Sequence, residues 1–146
     1  MPEMPVRLIW SLSNSGLGTT LGATAGNSGA YQTPAVPPWT PNALSAIDLR
    51  YIEDVWLTAF VTTVGGTGTP TLTVVLNVFD DLGNKFLITG SSITATASGT
   101  GSQISLGKHG GAASNYIVFP AWGQVAWSAT GTTPTFTGTE ISLWCR

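Results

Sequence analysis

The chain has 146 residues, of which 42% are hydrophobic and only 8% charged, with a formal net charge of −2. This is the length of one ordinary domain, with enough apolar material for a core, so folding calls for neither a metal nor a disulfide. The charged fraction is about a third of the roughly 25% found in average soluble domains, and the five cations (Arg7, Arg50, Lys85, Lys108, Arg146) are scattered, which leaves no electrostatic footprint for nucleic acid.

No stretch approaches the ~20 apolar residues of a membrane helix. Val6–Leu12 is too short, and with Arg7 too interrupted, to read as a secretory leader. Thr and Ser occupy the polar positions that charges usually hold, which is poor helix chemistry and good strand chemistry.

Residues 1–43 read as an extended N-terminal arm with one short strand. That strand is Val6–Leu12, with Val6, Leu8, Trp10 and Leu12 on one face. Ser13–Thr33 is rich in Gly, Ser, Ala and Thr and shows no periodicity. Pro34-Ala-Val-Pro-Pro-Trp-Thr-Pro41 then favours extended polyproline geometry. Irregular connections of this length are usually functional or disordered, and Tyr31 and Trp39 are the aromatic anchors by which such an arm docks on another surface.

Residues 44–146 read as an antiparallel β-sandwich of jelly-roll-like type. Ile47, Leu49 and Tyr51 alternate with Asp48 and Arg50, although Leu44, Ile47, Tyr51 and Ile52 also fit a helix. Val55–Val64 is a strand, Gly65-Gly-Thr-Gly-Thr-Pro70 a turn, and Thr71–Phe79 a strand with Leu72, Val74, Leu76 and Val78 on one face. Asp80-Asp-Leu-Gly-Asn84 is a turn leading into Lys85–Thr89. Ser92–Ala97, Gln103–Leu106, Tyr116–Phe119, Gln124–Thr130 and Thr135–Trp144 complete eight or nine short strands at the spacing of a sandwich or barrel. Phe136 and the pair Ile141 and Leu143 fall in opposite parity classes, and a β-bulge near Gly138 would bring all three to one face. Thr67-Gly-Thr-Pro-Thr-Leu-Thr73 is echoed by Thr130-Gly-Thr-Thr-Pro-Thr-Phe-Thr137, which reads as two similar hairpins.

The inventory of reactive groups points away from catalysis. His109, the one histidine, sits in the glycine-flanked loop Gly107-Lys-His-Gly-Gly111, and no partner arrangement points to it as a general base or as part of a multi-histidine metal site. A phosphate-loop reading fails because Ser102 stands where a glycine is required and His109 where Ser or Thr is required. Glu53 and Asp54 are strand neighbours facing opposite ways, and Asp80–Asp81 is a turn. No catalytic residue, cofactor or metal site is expected. Cys145, the lone cysteine, reads as a small buried side chain at the end of the last strand. Trp56, Trp127 and Trp144 fall on strands as core or interface residues. Trp10, Trp39 and Trp122 lie near ends or loops and are the better candidates for exposed partner contacts.

Gly68-Thr-Pro-Thr-Leu-Thr-Val74, Phe79-Asp-Asp-Leu-Gly-Asn84, Gly107-Lys-His-Gly110, Pro120-Ala-Trp-Gly123 and Ala129-Thr-Gly-Thr-Thr-Pro-Thr-Phe136 together carry a resemblance. The stretch from about Ala46 to Arg146 resembles small structural proteins encoded beside the major capsid protein in tailed phages, notably those of actinobacterial hosts. The resemblance implies a capsid decoration (cement) or related minor virion protein. Such a protein is β-rich, typically a homotrimer, bound to the major capsid protein on the outer capsid surface, where it stabilises the shell. Tyr31, Trp39, Trp10 and Trp122 would then be partner contacts. Two alternatives remain, a carbohydrate-binding module of a phage tail or fibre and a tail or adaptor subunit.

Overall fold

The computed structural model of the chain describes residues 5–12, 18–28, 47–80, 84–86, 88, 92–107 and 122–146. Among them are ten strands and no helix: β1 (Arg7–Ser11), β2 (Thr19–Leu21), β3 (Gly26–Asn27), β4 (Ile47–Asp48), β5 (Asp54–Val61), β6 (Thr63–Phe79), β7 (Lys85–Phe86), β8 (Ser92–Ala95), β9 (Thr100–Gly107) and β10 (Trp122–Cys145). Every pairing is antiparallel.

The spine of the fold is β10. Its first part pairs along one edge with β6, from Trp122 to Thr137, and along the other with β4, β3 and β2, from Trp122 to Thr139. Its last part, Glu140–Cys145, leaves β6 and pairs with β5, while β1 takes the opposite edge. The far edge of β5 carries β9, and that of β6 carries β7 and β8. The result is one ten-stranded antiparallel sheet that curls around a single core, with two limbs joined through β10.

The alternation in the sequence produces that core directly. Leu72, Val74, Leu76 and Val78 from β6, Val55, Leu57 and Val61 from β5, and Val125, Phe136, Ile141 and Leu143 from β10 are all at most 1% exposed. They form one hydrophobic cluster. At Gly138 the expected parity switch occurs. The register against β2 shifts between Phe136 and Thr139, Gly138 has φ +62°, and Phe136, Ile141 and Leu143 all face inward. Cys145 is buried as expected and accepts a hydrogen bond from Arg7 Nε at 3.4 Å.

The two echoed segments are not separate hairpin turns. Gly65–Pro70 and Thr130–Thr135 lie against each other in the middle of the β6–β10 ladder, with Thr67 opposite Thr132 and Gly65 opposite Thr135. The register slips on both sides of Thr132. A straight 24-residue strand would span roughly 80 Å, so a domain-sized sheet needs this kink. Each segment's glycine yields to the other's corner. A Cβ on Gly66 would meet the carbonyls of Thr132 and Thr133, and one on Gly131 would meet Thr67 and Pro70. Turn-forming residues therefore bend a continuous ladder here instead of reversing the chain.

The N-terminal region also differs from expectation. Residues 5–12 and 18–28 do not stand off the body as an arm, because β1, β2 and β3 each hydrogen-bond to β10. Residues 29–43, with Tyr31 and Trp39, lie outside the described residues, as do Lys108, His109 and Tyr116–Phe119. Within β1 the expected face is broken by a bulge at Ile9. Leu8 pairs with outward-facing Trp144 and is 47% exposed, whereas Trp10 pairs with inward-facing Leu143. The alternative helix at residues 44–52 does not form across its described part. Ile47–Asp48 is strand, followed by a turn closed from Ile52 N–H to Leu49 C=O at 3.2 Å, and this turn leaves Tyr51 almost fully exposed with φ +67°.

Candidate binding face

Of the four aromatic residues expected to contact partners, the two described ones are not free surface rings. Trp122 is 4% exposed, which corrects the expectation from its loop-like context. It heads β10 between Asp48 of β4 and Phe79 of β6, and Arg50 covers its ring with Cζ 4.7 Å from the centroid. Asp48 fixes that guanidinium by two hydrogen bonds, Nε to Oδ1 at 3.0 Å and a second nitrogen to Oδ2 at 2.8 Å. These hydrogen bonds from Arg50 hold the Asp48 carboxyl below the ordinary carboxylate range, against a smaller opposing effect of burial. Trp10 is half-buried and stacks on Trp127, with centroids 6.4 Å apart and planes 28° apart.

The acidic neighbours Glu53 and Asp54 part as expected. Asp54 is fully buried and ion-paired with Arg146 at 2.9 Å, while the Asp54 carbonyl accepts from Arg146 N–H at 2.9 Å. The Arg146 guanidinium also lies 5.5 Å from the Trp56 ring centroid. The last residue is thus locked to the start of β5, which seals the end of the core under charge. Among the described residues, no three or more His, Cys, Asp or Glu side chains gather as a metal-binding group.

Among the described residues, the outer face of the limb formed by β1, β10, β5 and β9 has a hollow. Strand alternation places Val55, Leu57, Ala59 and Val61 inward and so must place Trp56, Thr58 and Phe60 outward. The register then lays the outward residues in three rows. Leu8, Trp144, Trp56 and Ser105 form the first, Ser142, Thr58 and Gln103 the second, and Glu140, Phe60 and Gly101 the third. The second row is small and polar and lies between two rows with aromatic residues, so the face is hollowed along its middle. The hollow has a volume of about 420 Å³ and is lined by residues of β5, β9 and β10, among them Thr58, Phe60, Gly101, Gln103, Glu140, Ser142 and Trp144.

The Thr58 hydroxyl donates to the Ser142 carbonyl at 3.4 Å, whereas the Gln103, Glu140 and Ser142 side chains make no hydrogen bond to any described residue. The groove therefore keeps unspent donors and acceptors between apolar rings. Sequence reading placed Trp56 and Trp144 on strands as core or interface residues. It missed the groove because which strands lie side by side, and in what register, is not written in either strand alone. No family model matches the chain, and no curated protein matches it.

Proposed function

We propose that this chain is a non-enzymatic virion structural protein, a capsid decoration protein that binds the outer surface of the major capsid protein shell as a homotrimer and stabilises it. On this reading the two limbs of the curled sheet are the layers of a jelly-roll-like sandwich. The observation that carries the proposal is the outermost strand of the limb. Among the described residues β1 pairs only with β10, and Val6 just before the strand (54% exposed) and Leu8 within it (47% exposed) are exposed apolar side chains. Lone proteins usually protect such edges with charge, proline or a covering element. Pro5 and Arg7 are protections of that kind, so it is the exposed apolar side chains of Val6 and Leu8 beside them that fit a chain covered by neighbours in its working state. The low charge of the whole chain agrees, as do the motif resemblances at 68–74, 79–84, 107–110, 120–123 and 129–136. Tyr31 and Trp39 enter the proposal as anchors of the N-terminal region on the shell, while Trp10, stacked on Trp127, helps hold β1 against the body of the fold.

The test is to add the purified chain to shells assembled from the major capsid protein and to measure co-sedimentation and the temperature of shell disruption. The expected result is saturable binding with a raised disruption temperature, both lost when Val6 and Leu8 are replaced by Lys. Shells that neither bind the intact chain nor gain thermal resistance would overturn the proposal, and light scattering of the bound species checks the trimer.

A further inference from the structure

We propose that the groove on the outer face of β5, β9 and β10 is a binding site for a neutral saccharide of one or two pyranose rings. Its dimensions come from the register. Phe60 in the third row and Trp144 in the first are offset by four residues along the strands, about 13 Å, and the floor between them is the small polar row of Ser142, Thr58 and Gln103. The volume of about 420 Å³ lies within the range of small-ligand clefts, roughly 300–1,000 Å³.

The chemistry narrows the occupant. A pyranose ring offers apolar C–H faces and a rim of hydroxyls that both donate and accept. Phe60 and Trp144 supply apolar surfaces at the two ends of the groove. The unspent Gln103 amide and Ser142 hydroxyl can each donate and accept, and Glu140 can accept. Among the described residues no lysine or arginine lines the groove, and Glu140 would oppose a second negative charge there. That argues against phosphorylated ligands, nucleotides and acidic sugars.

The independent sign is Gly101. It is the second residue of β9, paired with Phe60 of β5, and a glycine within a strand weakens it and often marks the close approach of a ligand or another chain. Its backbone is not in the left-handed region. A Cβ built there would make only ordinary contacts, 3.4 Å to the Phe60 ring and 3.5 Å to the Ala59 carbonyl. Packing and backbone conformation therefore do not explain the glycine. The missing side chain keeps the groove open beside Phe60, toward the β9 edge.

The test uses the full chain labelled for two-dimensional NMR and titrated into the millimolar range with cellobiose, lactose and N,N′-diacetylchitobiose, followed in parallel by tryptophan fluorescence. At least one disaccharide should give saturable shifts centred on Gly101, Gln103 and Ser142. Gly101→Val should block the groove and weaken binding at least about tenfold, equivalent to ~1.4 kcal/mol, while keeping the melting temperature and shell binding of the parent. Gln103→Ala, a change at an exposed residue, should weaken sugar binding without touching the backbone. The proposal is overturned if none of the three sugars shifts the groove resonances, or if binding survives both substitutions unchanged. It is also overturned if Gly101→Val abolishes shell binding, since the groove would then belong to the protein interface. Loss of the sugar site with shell binding intact leaves the decoration reading standing, and the reverse result separates the two in the other direction.

Discussion

The two faces of the β1–β10–β5–β9 limb share one backbone and do different work. Inward, β5 and β10 present Val55, Leu57, Val61, Ile141 and Leu143, none measurably exposed. Outward, the same strands present Trp56, Thr58, Phe60, Glu140, Ser142 and Trp144, aromatic residues alternating with small polar ones. Burial of the first set holds the sheet in its curled form. The second set is free to vary in relief because the fold does not depend on it. The comparison teaches that the aromatic residues most useful for recognition need not lie in loops. They can stand on strands at the centre of the sheet, held by the core beneath them.

The sharpest way to break this comparison is to truncate matching positions on the two faces. Leu143→Ala leaves a cavity in the core and should cost about 2–5 kcal/mol, read as a lower denaturation midpoint at unchanged slope. Thr58→Ala, at the centre of the outer face, should stay within about 0.5 kcal/mol of the parent, since it gives up only a long hydrogen bond to Ser142. If both changes cost the same, the division of labour between the faces is wrong.

Arg146 joins the two faces, so its removal measures how far they are coupled. Its guanidinium satisfies the fully buried Asp54 and also lies over Trp56. Arg146→Met keeps much of the side chain but deprives the buried carboxylate of its cation, and a charge-assisted hydrogen bond of this kind is worth about 1.5–3 kcal/mol. Urea unfolding should show a loss of that size. A neutral result would mean that the remaining partners of Asp54 suffice.

The inner face was legible in the sequence and the outer face was not, for a physical reason. Alternation in Leu72–Val78 and Val55–Val61 is a property of one strand, and so is the parity switch that located the bulge at Gly138. The groove depends on three strands lying in register. The pairing of β5 with both β9 and β10 brings together residues more than forty positions apart. The Gly-Thr-Pro segments misled in another way. Gly and Pro disrupt regular pairing whether a chain reverses or merely bends, so Gly65–Pro70 read as a turn although it is the kink of a long ladder. Trp122 looked exposed because its neighbours are loop-formers, while the guanidinium that covers it is more than seventy residues away, on Arg50.

Tyr51 extends the comparison beyond the limb, since it is 97% exposed and sits at φ +67°, a backbone region unfavourable for a bulky side chain. Nothing in the core depends on its ring. Asn tolerates this conformation better, so Tyr51→Asn should be neutral or raise stability by up to about 1 kcal/mol. A thermal melt showing clear destabilisation would mean that the ring makes a contact its exposure does not reveal.

The smallest effect belongs to the ion pair beside the buried Trp122. Asp48 accepts two side-chain hydrogen bonds from Arg50, and its pKa is held below the value of about 3.8 that it would have in an unfolded chain. A carboxyl whose folded-state pKa is depressed adds stability at all pH values above the unfolded pKa, and that addition is lost as pH falls through the folded value. The window is therefore acid, at and below about pH 4, and stability at neutral pH does not change with it. Both side chains are about half exposed, at 49% and 51%, so solvent screening keeps the contribution small. The local consequence is easier to see than the global one. Protonating Asp48 releases the clamp on the guanidinium that covers Trp122, so tryptophan emission should change below pH 4 before the sheet unfolds. In Asp48→Asn the low-pH step should vanish, with Arg50 already released at neutral pH. An acid transition that is the same in both proteins would show that the cover over Trp122 does not depend on this pair.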